Sequence, residues 1–166
     1  MTDYAAIDAD RDEIRKEHLR ADRPASSARG VHHVALLSSD VRRTIEFYQG
    51  VLEFPLTEIF ENRDYQGSNH FFFDIGNGNL LAFFDFPGLG LEPVPEGIGG
   101  VQHVAISVTP DVFERSKGVL AQHGIDYIGP DRGVHESVYF KDPDGIQIEL
   151  IRQPLMTSPE SAPAQD

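Results

Sequence analysis

Two histidines and one glutamate recur at matched places in this 166-residue chain, and together they have the donor chemistry of a metal site. His33 lies in Val31-His32-His33-Val34-Ala35-Leu36, and His103 lies in Val101-Gln102-His103-Val104-Ala105-Ile106, 70 residues further on. Successive side chains of a strand point to opposite faces. Val34 and Leu36, like Val104, Ile106 and Val108, therefore pack on a helix and leave His33 and His103 on the other side. The same alternation puts Ile146, Ile148 and Leu150 on the helix side, with Gln147 and Glu149 on the side of the histidines. Two neutral imidazoles and a carboxylate offer N and O donors to one face of an ion. Its remaining positions stay open for substrate, water or dioxygen, as in non-haem Fe(II) oxygenases. His32 falls on the helix side or at the strand edge by this count and reads as structural.

The elements that position these residues form an internal repeat. Besides the histidine segments, Phe71-Phe72-Phe73-Asp74 and Gly78 to Phe83 match Val138-Tyr139-Phe140-Lys141 and Gly145 to Leu150 at an offset of 67. Each copy reads as strand, helix, then three short strands. The first helix is capped by Ser39 or Asp40 and carries Val41, Ile45, Tyr48 and Leu52 at helical spacing. The second opens at Pro110 or Asp111 and closes at Gly124, with His123 placed as a favourable charge at its end. The pattern predicts an N-terminal arm over 1–30, βαβββ modules over 31–86 and 101–152, a Gly- and Pro-rich linker over 87–100, and a tail over 153–166. Within the arm, a short helix is expected from Asp8 to Ala21, and Ile14 and Leu19 could serve a homodimer contact.

Composition narrows the function. No Cys is present, which excludes a disulfide framework, a thiol nucleophile and a Cys-ligated metal. The net charge of −13 argues against a nucleic-acid partner. No apolar run reaches the ~20 residues that span a bilayer, and residues 1–23 lack an apolar signal core. The expectation is a cytoplasmic protein that acts on a small molecule and binds no membrane.

The segments HHVALLSSDVRRTIEFYQGVLEF and VYFKDPDGIQIEL resemble the vicinal oxygen chelate superfamily, which includes glyoxalase I, extradiol dioxygenases, epimerases and bleomycin- or fosfomycin-resistance proteins. The resemblance covers about Val31 to Ile151. It implies an α+β fold of two paired βαβββ modules, with curved mixed sheets around a metal-binding cavity. It also places metal ligands at the positions of His33, His103 and Glu149. Glyoxalase I and the epimerases add a carboxylate or amide on the last strand of the first module. The partner of Glu149 there is Ala82, which cannot bind a metal and favours a three-ligand site.

In ring-cleaving relatives, a histidine acting as acid or base precedes a Leu-Ala-Phe segment. Here Asn79 stands near that place, and an amide cannot take a proton at neutral pH. His70 or His135 could substitute, and Tyr139 matches the position of the family's active-site tyrosine. Phenylalanines on the His33 side could line a pocket for a flat substrate. Asp142-Pro143-Asp144-Gly145 reads as a tight turn, and Gly76-Asn77-Gly78 as a hairpin turn. The leading expectation is an Fe(II) extradiol-type dioxygenase for a small aromatic or enediol-like substrate. Alternatives are a glyoxalase-like lyase or isomerase using Mn(II), Ni(II), Zn(II) or Co(II) as Lewis acid, and a non-catalytic, ligand-sequestering protein.

Overall fold

The computed structural model describes residues 2–19, 26–94, 96–129 and 136–153. The chain divides into a unit ending at Gly30 and a second beginning at Val31. The first holds helix α1 (Tyr4–His18). It starts four residues before the expected Asp8, because the Asp3 carboxylate accepts from the Ala6 N–H at 3.1 Å and caps the first turn. Arg15, Lys16 and His18 sit in its last turn, where cations oppose the helix dipole.

The second unit contains the two modules. The first is β1 (His33–Leu37), α2 (Val41–Ile45, continued as a π-helical segment Glu46–Val51), β2 (Leu56–Glu61), β3 (Asn69–Asp74) and β4 (Leu80–Phe84). The second is β5 (Val104–Ser107), α3 (Pro110–Gln122), β6 (Tyr127–Ile128), β7 (Ser137–Lys141) and β8 (Gln147–Ile151). Asp40 caps α2 by accepting from the Arg43 N–H, and α3 opens at Pro110, as expected, with Thr109 as its cap. Gly124 ends α3 in the left-handed region, at φ 66°.

Each module folds into its own four-stranded mixed sheet, in the orders β1-β4-β3-β2 and β5-β8-β7-β6. The pairs β1–β4 and β5–β8, each at one edge of its sheet, are parallel and the others antiparallel. The registers confirm the repeat residue by residue. Ala35 faces Ala82 across β1–β4, and Ala105 faces Glu149 across β5–β8. Ala82 is thus the topological counterpart of Glu149.

One hydrophobic core joins the two sheets. Leu36, Phe71, Phe73, Leu81 and Phe83 enter it from the first sheet, and Ile106, Val138, Phe140, Ile148 and Leu150 from the second. The helices lie between them: the Tyr48 ring packs on Phe73 and Phe83, and its neighbour Phe47 meets Phe140, with ring centres 6.2 Å apart. Polar contacts reinforce the junction. The buried Tyr48 hydroxyl donates to Asp142 Oδ2 at 3.0 Å, while Ser39 and Arg43 both donate to Asp144. The turn expected at Asp142–Gly145 is therefore also what fastens the second module to α2. No helix among the described residues is long and apolar enough to cross a membrane.

This packing decides where the sites lie. Both sheets spend their helix-facing sides on the shared core, so the opposite sides, with His33 on one and Glu149 on the other, point away from it. Within a single chain the modules meet through their helix sides, because that buries the rows of Phe, Leu and Ile.

Candidate functional site

The second sheet carries the most developed cluster. Glu149 sits mid-strand on β8, only 6% exposed. Its Oε1 accepts from the Tyr139 hydroxyl at 2.6 Å, and its Oε2 lies 3.0 Å from His103 Nε2. Tyr139 is directly opposite Glu149 in the β7–β8 register. His103 immediately precedes β5 and is turned toward the carboxylate, its ring edge-on to Tyr139. The Nδ1 of His103 meets the side-chain oxygen of Gln102.

On the first sheet, His33 begins β1 and its Nδ1 lies 2.8 Å from the Nδ1 of His32. His32 is exposed and stands just ahead of β1, at the strand edge, where its ring meets that of His33. Facing the same way as His33 are Phe72, His70 and Phe84, paired through Ala82 and Phe84 of β4. The His70 ring stacks on Phe84 with centres 3.7 Å apart and also meets Phe72 and Phe60. Burial among these rings, and secondarily the nearby His33, lowers the His70 pKa, so its imidazole is neutral at pH 7. Its Nε2 is buried with no hydrogen-bond partner among the described residues. Beside this platform an open depression of about 450 Å³ is lined by His32, Thr57, Glu58, Phe72, Asp74 and Leu80.

The expected site residues therefore fall into two groups. His103, Glu149 and Tyr139 are brought together, while His33 and His70 share the outer side of the other sheet. Among the described residues no three His, Asp or Glu side chains stand close enough to hold one ion. Asn79 belongs to neither group. Its amide donates to the carbonyls of Gly76 and Asn77 and locks the β3–β4 turn, where Asn77 adopts φ 54°. His135 lies outside the described residues.

Two residues that alternation overlooked are His32 and Gln102. A signal for them was present, since they occupy the same place in the repeat, one before each histidine. Ser137 is a third. It is the counterpart of His70 at offset 67, and its buried hydroxyl also lacks a partner among the described residues.

The donor chemistry of the second sheet fits a divalent ion. His103 Nε2 and the Glu149 carboxylate face each other at 3.0 Å, a contact that a proton on Nε2 closes as a hydrogen bond and that a divalent ion would close as two ligands. That spacing also suits two ligands bound to one ion at ~2.0–2.2 Å each.

Comparison with known proteins agrees with this fold. The sequence model of the Glyoxalase/Bleomycin resistance protein/Dioxygenase superfamily matches residues 30–150. A Bacillus subtilis (strain 168) protein named "Putative ring-cleaving dioxygenase MhqE" is 35% identical over 125 residues, 74% of this chain and 41% of the relative. The chain thus spans less than half the length of that relative. A solved glyoxylase/bleomycin resistance protein/dioxygenase domain from Frankia sp. EAN1pec superposes with a TM-score of 0.68 at 20% identity, covering 77% of this chain and all of that one. A mutant of the fosfomycin resistance protein FosX of Listeria monocytogenes, solved with Mn(II) and a dihydroxypropylphosphonic acid, gives a TM-score of 0.57 at 19% identity, over 77% of this chain and 95% of that one. By its sequence match over 30–150 and its two βαβββ modules, the chain belongs to the glyoxalase/bleomycin resistance protein/dioxygenase superfamily.

Proposed function

We propose that this chain is a divalent-metal enzyme, an extradiol-type dioxygenase for a small aromatic or enediol-like substrate, with His33, His103 and Glu149 holding Fe(II). The observation that carries the reading is the facing of His103 Nε2 and Glu149 Oε2 at 3.0 Å. The metal would supply a Lewis acid for two vicinal substrate oxygens and, as Fe(II), electrons for dioxygen. Tyr139 holds the carboxylate by its outer oxygen. Phe60, Phe72 and Phe84 offer a flat apolar surface, and the neutral His70 among them is positioned to take a substrate proton. The ring-cleaving name of the 35% identical relative supports the same reading.

Because His33 lies on the other sheet, its outer side turned from the shared core, the reading includes a second copy of the chain. His33 of one copy joins His103 and Glu149 of the other, giving two equal sites in a twofold dimer. Strands β1 and β5 are each bonded on one edge, which leaves the histidine-bearing edges available to meet.

The test is anaerobic Fe(II) reconstitution followed by oxygen uptake with a panel of catechols. Co-expressed His33→Ala and Glu149→Ala chains, purified as a heterodimer, retain one intact site in about two if the site is shared between copies, and none if it forms within one chain. A second reading, a lyase or isomerase using Mn(II), Ni(II), Zn(II) or Co(II) without oxygen, is favoured by Asn79, which is tied into a turn and supplies no base. Turnover without oxygen consumption would establish it.

A further inference from the structure

The aromatic surface on the outer side of the first sheet is longer than one substrate ring needs. Glu149 and Tyr139 pair across the second sheet, and Ala82 and Phe72 pair at the same register level of the first. Two residues further, ~7 Å along a strand, His70 pairs with Phe84, and their rings stack with centres 3.7 Å apart. The rings do not stop there. Phe84 stacks on Phe86 with centres 6.0 Å apart, and Phe86 meets Tyr65 edge-on at 5.4 Å. Phe60, 47% exposed, flanks the same run beside His70 and Phe72.

The far end of this run is fixed in place. The Asp85 carboxylate accepts from the backbone N–H and the side-chain amide of Asn69, at 2.5 and 3.1 Å. The Tyr65 hydroxyl donates to the Pro87 carbonyl at 3.3 Å, so the chain is tied on both sides of Phe86. The repeat indicates that folding does not call for these rings. At offset 67 the core positions of β3 stay apolar, Phe71 and Phe73 being matched by Val138 and Phe140. The outer positions lose their rings: Ser137 stands for His70, Ile151 for Phe84 and Gln153 for Phe86. A partly exposed apolar surface that only one module keeps is the mark of a ligand groove.

We propose that this run is a second-ring subsite of the proposed site, with Phe86 as a specificity-determining residue, and that the preferred substrate is a two-ring aromatic diol. A dihydroxy ring held at the level of Glu149 covers Phe72 and His70. A second ring, fused or linked to the first, reaches Phe84 and Phe86, where stacked and edge-on contacts between rings are most favourable.

The inference rests on the ring-cleaving reading, and two measurements keep their failures apart. On the Fe(II)-reconstituted full chain, oxygen uptake compares methylcatechol with phenylcatechol. The two-ring diol should have the higher kcat/KM, by about tenfold. Phe86→Ala should remove most of that ratio, and Phe86→Tyr, which keeps a ring, should retain it. Equal kcat/KM for the two diols in the wild-type protein, or an unchanged ratio in Phe86→Ala, would overturn the proposal. Without metal, hydroxybiphenyl and phenol are titrated into the 15N-labelled full chain, and backbone amide shifts are followed. Hydroxybiphenyl should shift the amides of Phe84 and Phe86 and bind more tightly than phenol, an advantage that Phe86→Ala reduces. Shifts confined to other parts of the chain would also overturn it. A chain that consumes no oxygen with either diol but shows the expected shifts loses the ring-cleaving reading and keeps the subsite.

Discussion

Tyr139 and Glu149 face each other across β7 and β8, and the hydroxyl of the first donates to Oε1 of the second at 2.6 Å. The carboxylate is almost wholly buried, so it depends on this donor on one side and on His103 on the other. Removing the hydroxyl leaves a buried acceptor unsatisfied. Tyr139→Phe should therefore lower the stability of the metal-free protein by about 1–3 kcal/mol, measured by urea unfolding. If the tyrosine only steadies Glu149, substrate turnover per bound metal stays near native. If it also handles a substrate proton, turnover per metal falls steeply.

In the proposed site, Glu149→Ala would remove the one anionic ligand and leave two neutral imidazoles. Elemental analysis of the variant should find no retained metal after dialysis. The wild-type protein should gain about 2.7 kcal/mol when metal is present at a hundred times its dissociation constant. The variant should show no such thermal shift. A full equivalent of metal on Glu149→Ala would place the site elsewhere.

Much of this architecture is legible in the chain because the repeat is strong. Alternation alone separates Val34, Leu36, Ile106, Ile148 and Leu150, which enter the core, from His33 and Glu149, which do not. The exchange of Glu149 for Ala82 is equally visible and is borne out by the strand registers. What alternation could not reveal is how the modules meet. On the first sheet both sides are rich in phenylalanine, Phe71, Phe73 and Phe83 on the inner and Phe72 and Phe84 on the outer. Periodicity then cannot tell which side finds the other module. The long-range bonds that settle it, Tyr48 to Asp142 and Arg43 to Asp144, join residues some 100 positions apart and leave no local pattern. The contact of His32 with His33 was hidden for a different reason. It lies ahead of β1, where alternation no longer applies, and a ring contact, not a strand position, defines it.

The junction itself should respond to pH. Burial raises the Asp142 pKa, even though Tyr48 and the backbone N–H groups of Ile146 and Asp144 pull it down. A carboxyl whose pKa is higher in the folded than in the unfolded state stabilises the fold fully below the unfolded value. That contribution is lost as pH rises through the folded value. The wild-type chain should therefore gain stability from this group as pH falls from neutral into the carboxylate range. Asp142→Asn should lack that component, so its urea midpoint should change less than that of the wild type between pH 7 and pH 5. An identical pH dependence in the two proteins would show that Asp142 titrates as it does in the unfolded chain.

The asymmetry between Ala82 and Glu149 gives the last prediction. The two positions are equivalent, yet their surroundings are not: Glu149 has Tyr139 opposite it, and Ala82 has Phe72 in the same place. Phe72 has no hydroxyl to donate, and Ala82 is wholly buried. A carboxylate introduced by Ala82→Glu would lose its hydration without the donor that Glu149 enjoys, at a cost of about 3–5 kcal/mol for an uncompensated buried charge. Ala82→Gln adds the same bulk without the charge and should cost less. Lowering the pH should narrow the difference between the two variants, because desolvation raises the pKa of the new carboxyl and protonation neutralises it. Urea unfolding of both metal-free variants at pH 7 and pH 5 measures this directly. Equal stability of Ala82→Glu and Ala82→Gln at pH 7 would mean that the first module can support a carboxylate as a fourth ligand after all. The three-ligand reading would then lose the physical reason for its asymmetry.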